Sequence, residues 1–371
     1  MSLRTLAAVL VVSLCAGASA GLLAQQIRSG VWVGSRVEAL PLPTAGYQAY
    51  LVGEIHGVKE NEKFQVAYLE LLNRSSNVRD VAIEEKSVYE RQAQAYIDGD
   101  SGALPAALCL RASLLRSIRE LNAKLEQGKR IRIHLTDVDS PAAAIREHFL
   151  SIRSRIPDAA LVRVPEADEI RERGLDTIGI LRGFKSDAHL AAELRTLEYS
   201  IWAYRDGFAV GTGPGIGSPF LEEREQAVAD NIAELALSGP VLAIYGDDHV
   251  SKSERKDGGP QRNQPFWPMA ARVGQSGVRV FSVVTFPLAG QSFWRGSRSD
   301  LLWEPKDGHL ASGETLDKLL AAAPGAKLVY VDRSRENVRI PSQDISNYKV
   351  DGFVLFPSGE ALKDECGQSG R

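Results

Sequence analysis

Short apolar runs that end in glycine or in acidic residues alternate along this sequence with segments of helical spacing. The runs at 50–52, 81–83 and 241–245 are continuous and apolar, which is typical of strands buried in a parallel sheet. A helix that we predict over 61–72 places its apolar residues on one face. Alternating strands and helices predict an α/β fold with a central, mostly parallel mixed sheet flanked by helices.

Further segments extend the same pattern. Strands are predicted at 130–135, 278–286, 328–331 and 352–356, and helices at 88–97, 110–125 and 218–237. The charged stretch 141–204 is predicted to be a helical insertion, whereas 206–218 is a glycine-rich loop without the lysine of a phosphate-binding P-loop. The loop 251–268 is either a lid or an ordinary connection. We assign 21–290 to one α/β domain, and 291–371 is either an extension of that domain or a small appendage.

Residues 1–20 have the composition of a secretory signal peptide. An arginine precedes an apolar run over 6–14, and Ala18-Ser19-Ala20 provides the small residues that a signal peptidase requires. No later stretch approaches the roughly 20 apolar residues of a membrane-spanning helix, so we predict no transmembrane segment. We therefore expect export to a periplasmic or extracellular compartment. A lipoprotein anchored through Cys15 is the less favoured alternative, because Leu14 is bulkier than the small residue usual before a lipidated cysteine.

Charge and cysteine content narrow the possibilities further. A net charge of −3 leaves no basic field that could hold nucleic acid, so DNA and RNA are excluded as partners. Removal of the signal peptide leaves two cysteines, Cys109 and Cys366, in an oxidising compartment where a disulfide is stable. They form either a disulfide or two separate thiols, one buried and one in the tail, and the separate thiols are slightly favoured.

Two Gly-x-x-His motifs are the strongest candidates for a functional site. Gly53 to His56 and Gly246 to His249 each follow a buried apolar run, and each contains acidic residues beside the histidine. Glycine allows the backbone to turn sharply off the strand and so aims the histidine back over the strand end. Because the carboxyl ends of strands in open α/β sheets face a crevice, we expect both imidazoles to line one cleft.

Acidic residues at the predicted strand ends suggest two kinds of chemistry. His56, His249 and Glu84 could hold a divalent metal and leave one position for water, as in a hydrolytic site. Without a metal, Glu54 or Glu84 is the general base that activates water, and a histidine is the acid. For either motif alone, a histidine that only makes a structural hydrogen bond is an equal alternative.

An arginine on the helix before the second motif is a further candidate. Arg224 and Asn231 are seven residues apart, so they share one face of this predicted helix. An arginine that faces the crevice recognises a carboxylate or stabilises an oxyanion. The alternative is a solvent-exposed arginine paired with Glu222 or Glu225.

The other acids and histidines are predicted to have structural roles. Asp137 and Asp139 follow a predicted strand, and a capping turn before Pro141 is favoured over a place in the site. His134 lies within its strand and is expected to be packed. The remaining histidines have no predicted partners and are treated as surface or core residues; they are His148, His189 and His309.

The order of these motifs resembles the clan that unites the erythromycin esterases, the Tiki and TraB proteins and the ChaN haem-uptake proteins. Gly53-Glu54-Ile55-His56 is followed by a helix, and Ile83-Glu84-Glu85 is similar to the acid strand of ChaN. Arg224 to Asn231 looks like the arginine-to-asparagine helix of the esterases and ChaN, and Tyr245 to His249 resembles their closing histidine strand. The first motif is closer to ChaN, since the esterases usually place one more residue between the acid and the histidine.

The resemblance implies a mixed central sheet flanked by helices and a site on its strand ends. The implied site residues are Glu54, His56, Glu84 or Glu85, Arg224 and His249. In one reading the protein hydrolyses ester or peptide bonds of a small-molecule or peptide substrate, with or without a divalent metal, and Arg224 stabilises the developing negative charge. In the other, the crevice binds haem or a metal for uptake without turnover, although the spacing does not locate a haem-ligating tyrosine. A degenerate member kept for protein interaction is the third possibility.

Overall fold

A computed structural model of the protein describes most of the chain. The described residues are 25–184, 188–205, 220–255, 266–294, 297–301, 309–310, 312–321, 323, 325–339, 348–363 and 366. The predicted signal peptide, the glycine-rich stretch 206–218 and the middle of the loop 251–268, 256–265, lie outside them. Within the described ranges, no helix combines the length and the apolarity that a membrane crossing requires.

Nine of the strands in the described residues form a mixed sheet at the centre of the fold. In chain order the strands are β1 (Gln25–Arg28), β2 (Val31–Gly34), β3 (Ala49–Glu54), β4 (Asp80–Lys86), β5 (Arg132–Asp137), β6 (Val241–Gly246), β7 (Val280–Pro287), β8 (Gly290–Trp294), β9 (Ser297–Leu301), β10 (His309–Leu310), β11 (Leu328–Asp332), β12 (Val338–Arg339) and β13 (Gly352–Phe356). The sheet order is β1-β2-β11-β13-β7-β3-β6-β4-β5, while β8 with β9 and β10 with β12 form separate pairs. All strands from β13 to β5 in this order are parallel, whereas β11 is antiparallel to its neighbours. The predicted mostly parallel α/β sheet is confirmed.

Helices cover both faces of this sheet. They are α1 (Lys59–Ser76), α2 (Glu90–Asp98), α3 (Ala112–Asn122), α4 (Ala142–Arg155), α5 (Ile170–Arg182), α6 (Ala188–Arg205), α7 (Phe220–Ser238), α8 (Met269–Gln275) and α9 (Leu316–Ala321). Tyr50 of β3 belongs to a core that includes α1 and α3, and its neighbour Leu51 belongs to a second core that includes α7 and α8. Successive residues of a strand point to opposite faces, so the uninterrupted apolar run of β3 fills both cores.

The predicted helical insertion is confirmed and consists of α4, α5 and α6. Its apolar residues form a cluster of their own, which contains the stripe Leu190, Leu194, Leu197 and Ile201. Helix α6 also packs against α7, whose apolar residues lie in the core on one face of the sheet. The insertion is therefore joined to the rest of the fold through α7.

Three features of the structure differ from the sequence predictions or add to them. The N-terminal strands, the polar β1 and the apolar β2, were not predicted, and they extend the sheet beyond β11. Strands β11 and β13, which follow residue 290, lie in the same sheet, with β13 beside β7. Cys109 and Cys366 form a disulfide, so the preference for separate thiols was wrong. These two residues are 257 positions apart, and only the folded chain brings them together.

Candidate functional site

The carboxyl ends of four neighbouring strands bring the predicted residues together. Glu54 ends β3 and Gly246 ends β6, and these two residues are paired in register. Glu84 lies near the end of β4 on the other side of β6, and Asp137 ends β5. Because parallel strands all end at the same edge of a sheet, their terminal side chains share one crevice.

Glu84 lies at the centre of this group. Its Oε2 accepts a hydrogen bond from the Gly246 backbone N–H at 2.7 Å, and its Oε1 accepts one from Arg224 Nη2 at 2.7 Å. His56 Nε2 lies 3.6 Å from Oε2, and His249 Nε2 lies 3.3 Å from Oε1. Burial by itself raises the pKa of Glu84, but the charges of His249 and Arg224 outweigh burial and hold that pKa well below its usual range. Glu84 is therefore an ionised carboxylate that lies between the two histidines.

Glu54 orients the His56 ring through a hydrogen bond to Nδ1. The Glu54 side chain is only 2% exposed, and its Oε1 lies 2.9 Å from His56 Nδ1. Arg111 donates to the same oxygen, and Gln65 donates to the other one. Burial raises the pKa of Glu54, but the guanidinium of Arg111 and the imidazole of His56 outweigh burial and bring that pKa to about 2. An ionised carboxylate only accepts hydrogen bonds, so Nδ1 of His56 carries the proton and Nε2 is the basic nitrogen.

His249 lies between two carboxylates. Its Nδ1 is 2.6 Å from Oε1 of Glu225, a residue of α7 that is completely buried, and its Nε2 faces Glu84. Burial lowers the pKa of an imidazole, but Glu225 and Glu84 outweigh it and raise the pKa of His249 to about 10. His249 is therefore an imidazolium at neutral pH, unlike a general base, and it adds a fixed positive charge to the crevice.

Arg224 faces the crevice and is not the solvent-exposed arginine of the alternative interpretation. Its Nε and Nη2 donate to Oδ1 and Oδ2 of Asp137 at 2.7 and 2.6 Å. Asp137 was predicted to cap a turn, and this was wrong because its carboxylate forms a bidentate ion pair with Arg224. Asn231, about two helical turns further along the same face of α7, donates to the Thr136 backbone oxygen and so links α7 to β5.

Glu85 follows Glu84 in β4, and its side chain faces Arg111. Its Oε1 is 3.5 Å from Arg111 Nε, so Arg111 lies between Glu85 and Glu54. Burial raises the pKa of Glu85 to about 7; Arg111 opposes this shift, and the carboxylates of Asp137 and Glu84 reinforce it. The sequence left Glu84 and Glu85 as alternatives, and both side chains lie at the site.

Asp139 and His148 form a buried pair that the sequence did not reveal. His148 Nδ1 lies 2.6 Å from Oδ2 of Asp139, and Asp139 also accepts from the Val88 backbone N–H. Both predictions for these residues were wrong: Asp139 does not cap α4, and His148 has partners. The two residues are nine positions apart and join the end of β5 to the insertion, which is a tertiary arrangement. His134 on β5 is bonded to Asp80 on the neighbouring strand β4, as expected for a packed side chain.

The motif glycines are required for space. A Cβ atom on Gly53 would lie 2.4 Å from Val250 Cγ2, and one on Gly246 would lie 3.2 Å from His56 Nε2. Neither glycine has a positive φ, so the turn off each strand does not depend on a left-handed backbone at these positions. Gly57, directly after His56, has φ +81° and makes the turn out of β3. Glycine at the motif positions lets the two histidine loops approach each other closely.

Arg111, Gln65 and Glu225 were missed as site residues. Arg111 is followed by apolar residues three, four and seven positions later, and the same spacing follows Glu225. Such a charged residue lies on the apolar face of its helix, where it needs a buried partner. This signal could have identified both residues, but it could not have identified their partners. Gln65 carries no comparable signal.

A divalent metal does not fit these side chains. Within the part of the chain that the structure describes, no group of three or more His, Cys, Asp or Glu side chains is arranged to hold a metal ion. Arg224 Nη2 donates to Glu84, and Arg224 Nη1 lies 3.4 Å from His249 Nε2. A guanidinium thus takes the place beside Glu84 and His249 that a metal would need. The interpretation of His56, Glu84 and His249 as metal ligands is replaced by an ion-pair network.

Two tyrosines near the second motif are engaged in contacts other than haem ligation. A haem pocket needs apolar walls and an axial ligand such as tyrosine or histidine. Tyr245 is buried with its hydroxyl bonded to Thr136, and the Tyr348 hydroxyl donates to Asp247 at 3.0 Å and to Asp248 at 3.1 Å. The strand ends carry charged side chains in place of apolar walls. Haem binding stays a prediction.

Comparison with known proteins identifies the fold. No protein-family model matches the sequence, and no curated protein matches it. A succinoglycan biosynthesis protein covers 86% of this chain and 89% of its own at 12% identity, with a TM-score of 0.61. A Bacillus cereus protein covers 86% and 90% at 14% identity, with a TM-score of 0.58. A mutant of the erythromycin esterase EreC in its open conformation covers 86% and 93% at 12% identity, with a TM-score of 0.56.

The fold is erythromycin esterase-like. This confirms the fold that the order of the sequence motifs predicted, and at such low identity the likeness shows the fold alone. A ChaN protein of Campylobacter jejuni with cofacially bound haem also aligns, over 64% of this chain and 81% of its own, at 15% identity and a TM-score of 0.30. A score this low carries no argument about function.

Proposed function

We propose that this protein is an exported hydrolase of small-molecule esters in which His56 is the general base. The hydrogen bond between the buried Glu54 carboxylate and His56 Nδ1, at 2.9 Å, carries the proposal. It sets the basic nitrogen Nε2 toward the crevice, and the His56 side chain is 23% exposed there. Glu54 is a poor candidate for the base, because Arg111, His56 and Gln65 occupy both of its oxygens.

The proposed reaction is the addition of water to an ester carbonyl. His56 Nε2 takes a proton from the water as its oxygen bonds to the carbonyl carbon, and a tetrahedral intermediate forms. The bond between that carbon and the alkoxy oxygen then breaks. The His56 imidazolium returns its proton to the departing oxygen, so the products are a carboxylic acid and an alcohol.

Two positively charged side chains stabilise the negative charge that develops in this reaction. His249 and Arg224 lie on the Oε1 side of Glu84, while His56 lies on the Oε2 side. Positive groups that are already in position stabilise an oxyanion without reorganising during the reaction. We therefore assign His249 and Arg224 to electrostatic stabilisation of the intermediate, and Glu84 to holding these groups in place.

The choice of an ester and of an exported location has separate support. An erythromycin esterase shares the fold, which favours ester over peptide bonds as the substrate class. The disulfide between Cys109 and Cys366 is stable in an oxidising compartment, in agreement with the predicted signal peptide.

An ester hydrolysis assay with a matched pair of histidine variants tests the proposal. We expect the purified protein to hydrolyse members of a panel of simple esters, and we expect kcat/KM to fall about 10²–10⁴-fold in His56→Gln. His189→Gln is the control, because the His189 side chain is 55% exposed on α6, and it should match the unmodified protein. EDTA should leave the rate unchanged. Absence of hydrolysis across the panel, or full activity in His56→Gln, would show that the proposed function is wrong.

A further inference from the structure

We propose that Arg111 is a positioning residue that sets the tautomer and orientation of His56 through Glu54. This inference rests on the proposed function, but it concerns a residue outside the sequence motifs. Arg111 lies at the end of the 3-10 turn Ala106–Arg111, directly before α3. Its side chain is only 2% exposed, so it is well removed from solvent and acts through other side chains.

The contacts of Arg111 converge on the carboxylate behind His56. Its Nη1 donates to Glu54 Oε1, the same oxygen that faces His56 Nδ1, and its Nη2 lies 3.4 Å from Nδ1. Its Nε lies 3.5 Å from Glu85 Oε1. The planar guanidinium thus bridges two carboxylates and fixes the plane of Glu54 relative to the imidazole.

The backbone around Arg111 is held in place by long-range links. Cys109, two residues earlier, forms the disulfide to Cys366. The chain just before Cys366 crosses the His56 loop: Leu362 N–H donates to Gly57 O at 2.9 Å, and Lys59 N–H donates to Glu360 O at 2.9 Å. The segment that carries Arg111 and the loop that carries His56 are therefore joined to the same C-terminal segment, and a fixed backbone keeps the guanidinium in register with Glu54.

Two variants separate positioning from general stabilisation. Arg111→Met removes the positive charge and the planar guanidinium. Arg111→Lys keeps the charge but lacks the planar guanidinium that bridges Glu54 and Glu85. For ester hydrolysis we expect kcat to fall about 100-fold in Arg111→Met and about 10-fold in Arg111→Lys, with KM unchanged, because a misplaced base still leaves substrate binding intact. Arg119→Met, on α3, removes an arginine that donates to backbone oxygens of Tyr96 and Ser101 and lies over the Tyr96 ring, and it should leave kcat unchanged.

Nitrogen-15 NMR of labelled histidine gives a readout that does not depend on hydrolysis. The His56 signals are identified by their loss in His56→Gln. We expect Nδ1 protonated and Nε2 unprotonated in the unmodified protein, and a mixture of tautomers in Arg111→Met. If Arg111→Met does not fold, the spectrum of Arg111→Lys decides, and it should show the same mixture to a smaller extent.

The two readouts distinguish the failure of each idea. An unmodified protein that hydrolyses no ester refutes the proposed function, but the His56 spectra still test the positioning. A His56 spectrum that is identical in the unmodified protein and in the folded Arg111 variants overturns the role of Arg111, as does an unchanged kcat.

Discussion

From the positive charge of His249 we predict how the free energy of unfolding depends on pH. Glu225→Gln replaces the buried carboxylate behind Nδ1 with a neutral amide of the same shape. Glu225 Oε2 also accepts a hydrogen bond from the Met269 backbone N–H at 2.6 Å, and the amide oxygen can keep that contact. The amide NH2 then faces His249 Nδ1, so the substitution removes both the attraction for the imidazolium and the acceptor of its Nδ1 proton.

The size of the effect follows from the pKa of His249. It is raised from 6.5 to about 10, with burial opposing the shift and Glu225 and Glu84 causing it. Because the folded-state pKa is the higher one, this stabilisation is complete below pH 6.5 and is lost as the pH rises to about 10. At about 1.4 kcal/mol per pH unit, the interval corresponds to a free energy on the order of 5 kcal/mol. An equal division between the two carboxylates assigns about 2 kcal/mol of it to Glu225.

Urea unfolding at pH 6.5 and at pH 10 measures this effect directly. The loss of unfolding free energy in Glu225→Gln should be about 2 kcal/mol larger at pH 6.5 than at pH 10, with the same denaturant slope. Glu234→Gln is the control, because Glu234 lies on the same helix, is 37% exposed and pairs with Arg195. Its small effect should be similar at both pH values. If Glu225→Gln loses the same free energy at both pH values, His249 is not held as an imidazolium by Glu225.

Two further predictions concern the scaffold. The double variant Cys109→Ser/Cys366→Ser should lose about 4 kcal/mol of unfolding free energy, because the disulfide closes a loop across 257 positions; dithiothreitol should cause the same loss in the unmodified protein and none in the variant. Gly53→Ala should lose about 1–3 kcal/mol, since the added methyl would lie 2.4 Å from Val250, whereas Gly179→Ala on α5, with open space around the methyl, should gain about 0.5–1 kcal/mol. Urea unfolding compares both glycine variants, and equal effects would contradict the role of close packing at Gly53.

The sequence by itself determined the alternation of strands and helices and the position of most candidate residues. Hydrophobic periodicity is a local property, so the buried run of β3 and the apolar face of α1 could be recognised without a structure. Residues that follow such runs lie at the carboxyl edge of the sheet whenever the strands are parallel. For that reason Glu54, His56 and His249 could be placed at one crevice before their contacts were known.

Only the tertiary structure decided which charges meet. Asp137 and Arg224 are 87 positions apart and Glu54 and Arg111 are 57 apart, and no local pattern indicates these pairs. The partner of a buried charge is set by the order of strands and the path of helices, and it decides the protonation state of that charge. Two similar Gly-x-x-His motifs therefore differ in their partners: Nδ1 of His56 faces the buried carboxylate of Glu54, whereas Glu225 and Glu84 raise the pKa of His249 to about 10 and keep it cationic.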